Sequence, residues 1–387
     1  MGYTSQDDLI NQITTNGKYL RRDNAKITSP AHTAGGWHAL FGGAGYPNAS
    51  TYPSAQDLVF QQCTDLGGDA ASATLLGIQH GGNVSTATKH ILNVGASLVA
   101  AAGAPWQAKL VDLLGYYRMA TTNVTGTGSR TLINSNTFTA SSSSGLLLTY
   151  TNDFNTYSRV RFTTTTTLPT GLSLATDYWL VRVSATTARV ATSLANAIAG
   201  TVIAYTDAGT GTHTVTMQMP RYDDGVGAEA FFVAQTAPTA GGPNLSASSY
   251  TNTAGTAGRA FQGSPTMGAA ADAYATRILH SGNAAGRYGP FLPKQGGDTG
   301  IKSIESFTWS GGTAYTGSGV TALCICRPLC DLSIPVTGMW SERDLLNQLP
   351  SLPRVYDGAC LGWLLFSTGA TTNNSPFTAA VDFGWGG

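Results

Sequence analysis

Hydrophobic and polar residues alternate along much of this chain, which is the pattern of β-strands with one buried face. The alternation is clear in RVRFTTTT, DYWLVRVS, ARVAT, TVIAYT and THTVTM, between residues 159 and 217. Further β-rich segments follow as AFFVAQT, SIESFTW, VTALCICRPL, GWLLFST and AAVDFGWG. The pattern predicts a mainly β protein with a few short helices, of the sandwich or jelly-roll kind.

Helical periodicity is confined to short segments. Ser5 is an N-cap residue with Asp8 three positions later, and apolar residues then recur on one face until Asn16-Gly17. The segment SLANAIAG predicts one short helical turn. Two Asp-Leu-Leu segments, at residues 112–114 and 344–346, each follow a tryptophan and are also predicted to be helical.

The first 60 residues contain a long stretch rich in Gly, Pro and Ser after the predicted helix. Single aromatic residues interrupt it, and such a segment rarely builds a core of its own. We therefore expect residues 1–60 to form a helix and an extended arm laid over another surface. Its anchors would be Trp37, Phe41, Tyr46 and Tyr52.

The middle of the chain has a different composition. Residues 124–218 contain no Lys and no Glu, and Thr, Ser and β-branched residues dominate between Gly-rich and Asn-rich turns. This segment predicts a small, self-contained β-sandwich inserted into a parent domain.

Without the insert, the parent domain contains a repeat. The segment Pro-Arg-x-x-Asp-Gly occurs at 220–225 and again at 353–358, each time before an apolar run. A His-x-Gly-Asn segment precedes each copy, with His80 in the first and His280 in the second. The order predicts duplicated β-rich half-domains about a pseudo-twofold axis, one from 61–123 with 219–245 and one from 246–387.

Charge is scarce: Asp, Glu, Lys and Arg make up 11% of the residues, and the formal net charge is zero. Nucleic-acid binding needs clustered Lys and Arg, so no nucleic-acid partner is expected. No apolar stretch is long enough to span a bilayer, no secretory signal is seen, and five cysteines fit a reducing compartment. A weakly charged surface gives little protection against association, which suggests surfaces covered by neighbours.

The repeated turn is the first candidate for chemistry. Its charged residues could be catalytic pairs, but acid–base catalysis needs a second titrating group and a pocket that shifts a pKa. A tight corner explains the same residues, with Asp bonding the backbone, Gly at positive φ and Arg pairing with the carboxylate. We therefore expect structural roles for Arg221, Asp224, Gly225, Arg354, Asp357 and Gly358.

Histidines and cysteines offer no stronger site. His80 and His280 would bind a metal together only if the pseudo-twofold axis brought them close, and no further ligand stands at ligand spacing. Cys324 and Cys326 share one face of a predicted strand and suit small buried positions. No catalytic residue, cofactor or metal is predicted.

Residues 168–215, from LPTGLSLATDYWLVRVS to DAGTGTHTV, closely resemble a small β-module spliced into structural proteins of tailed bacteriophages. The flanking segments YTSQDDLINQITTNGK, HGGNVSTATKHILNVGA and ERDLLNQLPSLPRVYDGACLGWLLF resemble phage virion proteins. Together the resemblances cover most of the chain and imply a virion component assembled in the host cytoplasm. They carry over no functional residues.

The resemblance leaves the place in the virion open. The chain lacks the long charged spine helix and acidic arm typical of a major shell subunit, so a cement, decoration or minor capsid protein is the first expectation. Its partners would be the major capsid protein and copies of itself, with a host-surface glycan as an open partner of the insert. The alternatives are a tail or baseplate protein and, least supported, a polysaccharide-degrading tail enzyme, which would need paired carboxylates.

Overall fold

The computed structural model describes part of the chain in detail. The described residues are 3–28, 32, 34–42, 45–46, 58–59, 77–82, 84, 86–99, 105–120, 127–131, 134–141, 146–148, 154, 157–184, 186–234, 244–263, 276–279, 289–310, 320–347, 352–371 and 374–386.

The described elements are mostly strands. The helices are α1 (Gln6–Thr14), α2 (Leu194–Ile198) and a 3-10 turn at Leu40–Gly42. The strands of the first part of the chain are β1 (Tyr19–Thr28), β2 (Gly36–Ala39), β3 (Gly45–Tyr46), β4 (Leu58–Val59), β5 (Thr88–Leu98), β6 (Trp106–Ala120) and β7 (Thr127–Thr131). Those of the middle are β8 (Ser135–Ser141), β9 (Leu146–Leu148), β10 (Arg159–Thr164), β11 (Tyr178–Arg182), β12 (Thr187–Ala191) and β13 (His213–Met217). The remaining strands are β14 (Glu229–Ala234), β15 (Asn244–Asn252), β16 (Ile278–Leu279), β17 (Ile301–Ser310), β18 (Val320–Ile334), β19 (Ser341–Asp344), β20 (Arg354–Val355), β21 (Leu361–Ser367) and β22 (Ser375–Gly386).

The prediction of a mainly β protein is confirmed. The predicted N-cap of α1 is confirmed as well, because the Ser5 side chain accepts a hydrogen bond from the backbone N–H of Asp8 at 3.0 Å. The short helical turn predicted in SLANAIAG is α2. None of the described helices is long and apolar enough to cross a membrane.

Two large antiparallel sheets form a sandwich. Sheet I has the order β19-β5-β22-β1-β3, with β20 also paired to β5. Sheet II has the order β16-β14-β18-β6-β21-β2, with β4 also paired to β6. A shared hydrophobic core joins them, in which Val94 and Phe383 of sheet I pack with Leu110 and Trp363 of sheet II.

The same sheet II also packs against a second neighbour. Sheet III has the order β15-β17-β7, and its Ile304 and Phe307 share a core with Phe232 and Leu323 of sheet II. The opposite face of sheet II carries Cys324 and Cys326, which are buried, while Leu323 and Ile325 face sheet III. The predicted packing role of the two cysteines on alternate positions is confirmed.

Strands β8 to β13 close into a barrel with the order β10-β11-β12-β9-β8-β13. The chain enters and leaves the barrel at one point, because the backbone N–H of Met217 donates to the carbonyl of Asn134 at 2.8 Å. The barrel lies within the predicted insert, but it is a closed sheet instead of a two-sheet sandwich. The predicted strand TVIAYT is wrong: residues 201–205 are irregular, and only Ile203 bonds back to Val190.

The Asp-Leu-Leu helix predicted at residues 112–114 is wrong, and in the segment 344–346 only Leu346 lies in a 3-10 turn. Residues 112–114 lie within β6, and Asp344 ends the edge strand β19. Tertiary pairing overrides the helical spacing in β6, because this strand is hydrogen-bonded to β18 on one side and β21 on the other. Asp112 interrupts the apolar pattern because it forms a buried ion pair with Arg221.

The arm is extended, but its described part belongs to the body of its own chain. Strand β1 pairs with β22 in sheet I, and β2 pairs with β21 in sheet II. Trp37 and Phe41 are each 3% exposed, with the Trp37 ring 5.3 Å from that of Phe366 and Phe41 packed over Gly362. Within this chain, Trp37 and Phe41 therefore anchor the arm to its own body.

The remaining predicted anchors of the arm are Tyr46 and Tyr52. The backbone of Tyr46 pairs with Ala25 at the edge of sheet I. Tyr52 lies outside the described residues, as does His280.

Strands from the two predicted half-domains share both large sheets. Sheet II joins β6 and β14 of the first half with β18 and β21 of the second, and sheet I joins β5 with β19 and β22. The two halves therefore share cores and do not form consecutive, separate domains. A local twofold relation is nevertheless visible in sheet II, where β14 and β21 flank the central pair β18 and β6 at equivalent positions and run in opposite directions.

Candidate functional site at the paired turns

The two Pro-Arg-x-x-Asp-Gly turns meet at the centre of sheet II. The strand after the first turn begins with Glu229 opposite Cys326, and the strand after the second begins with Leu361 opposite Asp112. Cys326 and Leu113 are themselves partners in the central strand pair. The rings of Tyr222 and Tyr356, one from each turn, are in edge contact at 4.9 Å. The repeated motif thus marks two corners that pack on each other.

Arg221 connects the turns to the sheet. Its Nε and Nη2 donate to the two carboxylate oxygens of Asp112 at 2.8 and 2.6 Å, in the bidentate geometry that favours arginine. Its Nη1 donates to the carbonyl of Gly358 in the other turn at 2.6 Å, and Nη2 also reaches the carbonyl of Leu113 at 2.9 Å. Burial alone would lower the pKa of Arg221, but the Asp112 carboxylate outweighs it and holds that pKa above its usual value.

Asp112 is fully satisfied by this arrangement. It is buried and accepts a further hydrogen bond from the backbone N–H of Cys360 at 2.8 Å. A buried charge costs several kcal/mol unless it is paired and hydrogen-bonded, so Asp112 and Arg221 depend on each other.

The Arg–Asp pair predicted within each turn does not form. Asp224 accepts from the backbone N–H of Val226 at 3.0 Å, which closes the turn locally. In the second turn Arg354 is exposed and lies 4.2 Å from the centre of the Tyr356 ring. The prediction of positive φ fits Gly225, at +69°, but is wrong for Gly358, which is outside the left-handed region.

Asp357 binds a different part of the chain. It accepts from the backbone N–H of Val84 at 3.2 Å and lies 3.7 Å from the Nζ of Lys89. Lys89 is buried and also contacts the Nδ1 of His80 at 2.9 Å and the carbonyl of Gly82 at 2.5 Å. His80 Nε2 is 3.1 Å from the carbonyl of Ala359, so this histidine bridges the lysine and the second turn as a neutral ring protonated on Nε2. The first His-x-Gly-Asn segment is therefore fastened to the second Pro-Arg-x-x-Asp-Gly turn.

A cluster of four charges fastens the barrel to the first turn. Arg159 and Arg161 of β10 both contact Asp177, which precedes β11, and Asp223 of the turn. Arg161 Nε donates to Asp177 at 2.6 Å. Burial would raise the pKa of Asp177, but the hydrogen bonds from Arg161 and Arg159 outweigh this and lower it. The cluster fixes how the barrel sits on the corner.

A cleft of about 630 Å³ opens beside this cluster. The barrel supplies Arg159 and Trp179, and the body supplies Arg327, Tyr356 and much of the first turn, including Tyr222, Asp223 and Asp224. Trp179 points outward from the barrel because it alternates with the buried Tyr178 and Leu180. Arg327 covers the Tyr222 ring at 5.5 Å and donates to the carbonyl of Val226. The floor and walls thus combine aromatic rings with paired charges.

The sequence predicted the corner but missed its partners. Asp112, Arg159 and Asp177 were not singled out, although a lone aspartate in the apolar segment KLVDLLGYY signals a buried counter-charge. Among the described residues, no group of three or more His, Cys, Asp or Glu side chains is placed to hold a metal ion.

Comparison with known proteins adds little. No family model matches the chain, and no curated protein matches it. A solved structure of the infectious bursal disease virus Gx strain aligns over 95% of this chain and 80% of its own, with 10% identity and a TM-score of 0.16. A TM-score this low is far below that of a shared fold, so the match does not indicate a common fold.

Proposed function

We propose that this chain is a non-enzymatic structural component of a tailed-bacteriophage particle, bound to the capsid as a cement, decoration or minor capsid protein. The sequence resemblance to virion proteins and the inserted phage module motivate the proposal. The described ion pairs at the paired turns tie strands and corners together, which suits a body that carries mechanical load.

An exposed apolar patch carries the proposal. Val99, Val336, Met339 and Trp340 are 56%, 46%, 61% and 43% exposed. They lie together because the backbone N–H of Gly338 donates to the carbonyl of Leu98 at 2.9 Å, and the Trp340 ring lies over Gly95. Contiguous exposed apolar side chains mark interaction surfaces in soluble proteins. Covering each such side chain contributes about 1–2 kcal/mol, and the gain multiplies when many copies bind one lattice.

The patch stands next to the edge of sheet I. The edge strand β19 is short and reads Ser-Glu-Arg-Asp, with Glu342 and Asp344 exposed. A short, charged edge discourages strand addition, so the neighbouring apolar side chains would make the contact instead. In this proposal a shell subunit covers Met339 and Trp340.

The test uses a tagged double variant, Met339→Ser/Trp340→Ala, that is produced together with the wild-type chain. The share of the variant in gradient-purified particles is then measured. We expect at least a ten-fold drop in its share of the particles. Leu174→Ser is the matched control, because Leu174 is 60% exposed but lies on the barrel, and this variant should be incorporated normally. Equal incorporation of the double variant and wild type would remove the patch as the contact.

A further inference from the structure

We propose that the cleft between the barrel and the paired turns binds a neutral saccharide. This goes beyond a structural role, and it rests on different residues from the apolar patch. The volume of about 630 Å³ lies within the range of roughly 300–1,000 Å³ typical of small-ligand sites.

Aromatic rings from both sides line the cleft. Trp179 comes from the barrel, and Tyr222 and Tyr356 come from the two turns; all three are partly exposed. The C–H faces of a sugar ring pack on the electron-rich faces of such rings, and aromatic side chains present large, rigid contact areas at low entropic cost. The combination favours a polar ligand that has an apolar C–H face over an extended apolar ligand.

The polar groups of the walls match hydroxyl groups. Asp224 is an acceptor and Arg327 is a donor, whereas Arg159 and Asp223 bind each other within the charge cluster. Asp224 uses Oδ1 to bind Val226 and has no further partner for Oδ2 among the described residues. The hydroxyl groups of a sugar both donate and accept hydrogen bonds, so they can pair with the donors and the acceptors of the cleft walls.

The charge of the cleft favours a neutral ligand. Arg159 and Arg327 are balanced by Asp223 and Asp224, and Arg221 is consumed by its pair with Asp112. A phosphate or an acidic polymer would meet a carboxylate for every guanidinium and gain little.

Two polar atoms at the cleft lack a partner in the described part of the chain. They are the indole Nε1 of Trp179 and the hydroxyl of Tyr222, both shielded from solvent. Burial raises the pKa of Tyr222, so its hydroxyl stays protonated and remains a donor. Leaving such groups unpaired costs about 1–3 kcal/mol each. A small rotation of either side chain toward a bound hydroxyl would recover that cost.

The first experiment is an oligosaccharide array probed with the full chain. The array carries neutral oligosaccharides beside sialylated and uronic-acid-containing ones. We expect binding to neutral members, and calorimetry with the best of them should give at least ten-fold weaker affinity for Trp179→Ala and for Asp224→Ala. Leu174→Ala is the control, since Leu174 is a 60% exposed apolar residue of the barrel that does not line the cleft, and this variant should leave affinity unchanged.

Two further variants keep the test decisive if Trp179→Ala unfolds. Trp179→Phe keeps a stacking ring and should retain most binding, whereas Val226→Trp fills the cleft from an exposed position and should abolish it. No binding to any neutral member, binding to acidic members alone, or unchanged affinity in Val226→Trp would each overturn the proposal. Particle incorporation of Trp179→Ala tests the structural role separately and should be normal.

Discussion

Gly225 and Gly358 occupy the same position of the repeated turn and meet different backbone demands. Gly225 has φ of +69°, and a Cβ there would lie 2.7 Å from the carbonyl carbon of Ile301. Gly358 is outside the left-handed region, and the nearest atom to an added Cβ is the Arg221 Nη1 at 3.8 Å. One glycine is required by geometry and the other is not.

We therefore expect Gly225→Ala to lower the free energy of unfolding by about 2 kcal/mol or more, since positive φ costs roughly 1–2 kcal/mol and the overlap adds to it. Gly358→Ala should change it by less than about 0.5 kcal/mol. Urea unfolding followed by circular dichroism measures both. Equal effects would mean that the two turns share one backbone conformation.

The two arginines of the repeat also differ in burial. Removing the partner of a buried charge costs about 3–5 kcal/mol, so Arg221→Ala should be severely destabilising because it strands Asp112. Arg354→Ala loses an exposed ring contact, which is worth at most about 1 kcal/mol. The melting temperatures of the two variants should separate clearly. A mild Arg221→Ala phenotype would show that the ion pair is not required.

The buried His32 makes the free energy of unfolding depend on pH. Burial, and secondarily the charge of Arg277, lower the pKa of His32 to about 3, and its ring stacks on that of His38 at 3.7 Å. The unfolded chain takes up a proton near pH 6.5, so the folded state loses about 1.4 kcal/mol per pH unit as the pH falls from about 6.5 toward 3. No loss from this group occurs above pH 7.

The matching measurement is urea unfolding at pH 7.5 and pH 5. His32→Gln removes the titrating ring, so the wild-type chain should lose about 2 kcal/mol more than the variant between these two pH values. The difference isolates His32 from carboxylates that titrate in both proteins. Parallel pH profiles would contradict the assignment.

At the scale of elements, the chain enters and leaves the barrel at one point of the body. Asn134 and Met217 are bonded to each other, and the Asn134 side chain donates to the carbonyl of Ile304 in sheet III at 2.8 Å. We expect a chain in which residues 135–217 are replaced by two glycines to fold as a monodisperse body. Its stability should be reduced, because barrel residues such as Val160 and Phe162 share a core with sheets II and III.

The control is a deletion of residues 135–191, which removes β8 to β12 and leaves β13 without its barrel partners. That chain should aggregate because it exposes unpaired strand edges. Light scattering and near-ultraviolet circular dichroism distinguish the two products. Aggregation of both would argue that the body needs the barrel to fold.

Sequence pattern predicted most strands and the helices α1 and α2 correctly, and it failed at the strand TVIAYT and at the Asp-Leu-Leu helix of residues 112–114. Strands β14 and β18 each contain a run of β-branched, aromatic and other apolar residues, AFFV and VTALCIC. The Asp-Leu-Leu segments are too short for periodicity to separate helix from strand, and pairing with distant strands decided the outcome.

At the scale of the whole molecule, the proposed place in the virion predicts a copy number. A capsid-bound protein should be present in hundreds of copies per particle, because it follows the shell lattice. Quantitative mass spectrometry of gradient-purified particles, relative to the major shell subunit, measures this directly. A handful of copies in multiples of three or six would favour a tail or baseplate protein, and absence would exclude a structural role.

The sequence alone determined the β class, the first helix cap, the burial of alternate cysteines and the presence of a repeated corner. These features depend on residues close together in the chain, where side-chain alternation and turn chemistry act directly. Tertiary structure decided the rest. Arg221 finds Asp112 at a separation of 109 residues, and the arm pairs with strands at the opposite end of the chain. Such partners depend on which backbone edges and buried charges would remain unpaired in the complete fold. The local sequence pattern does not specify them.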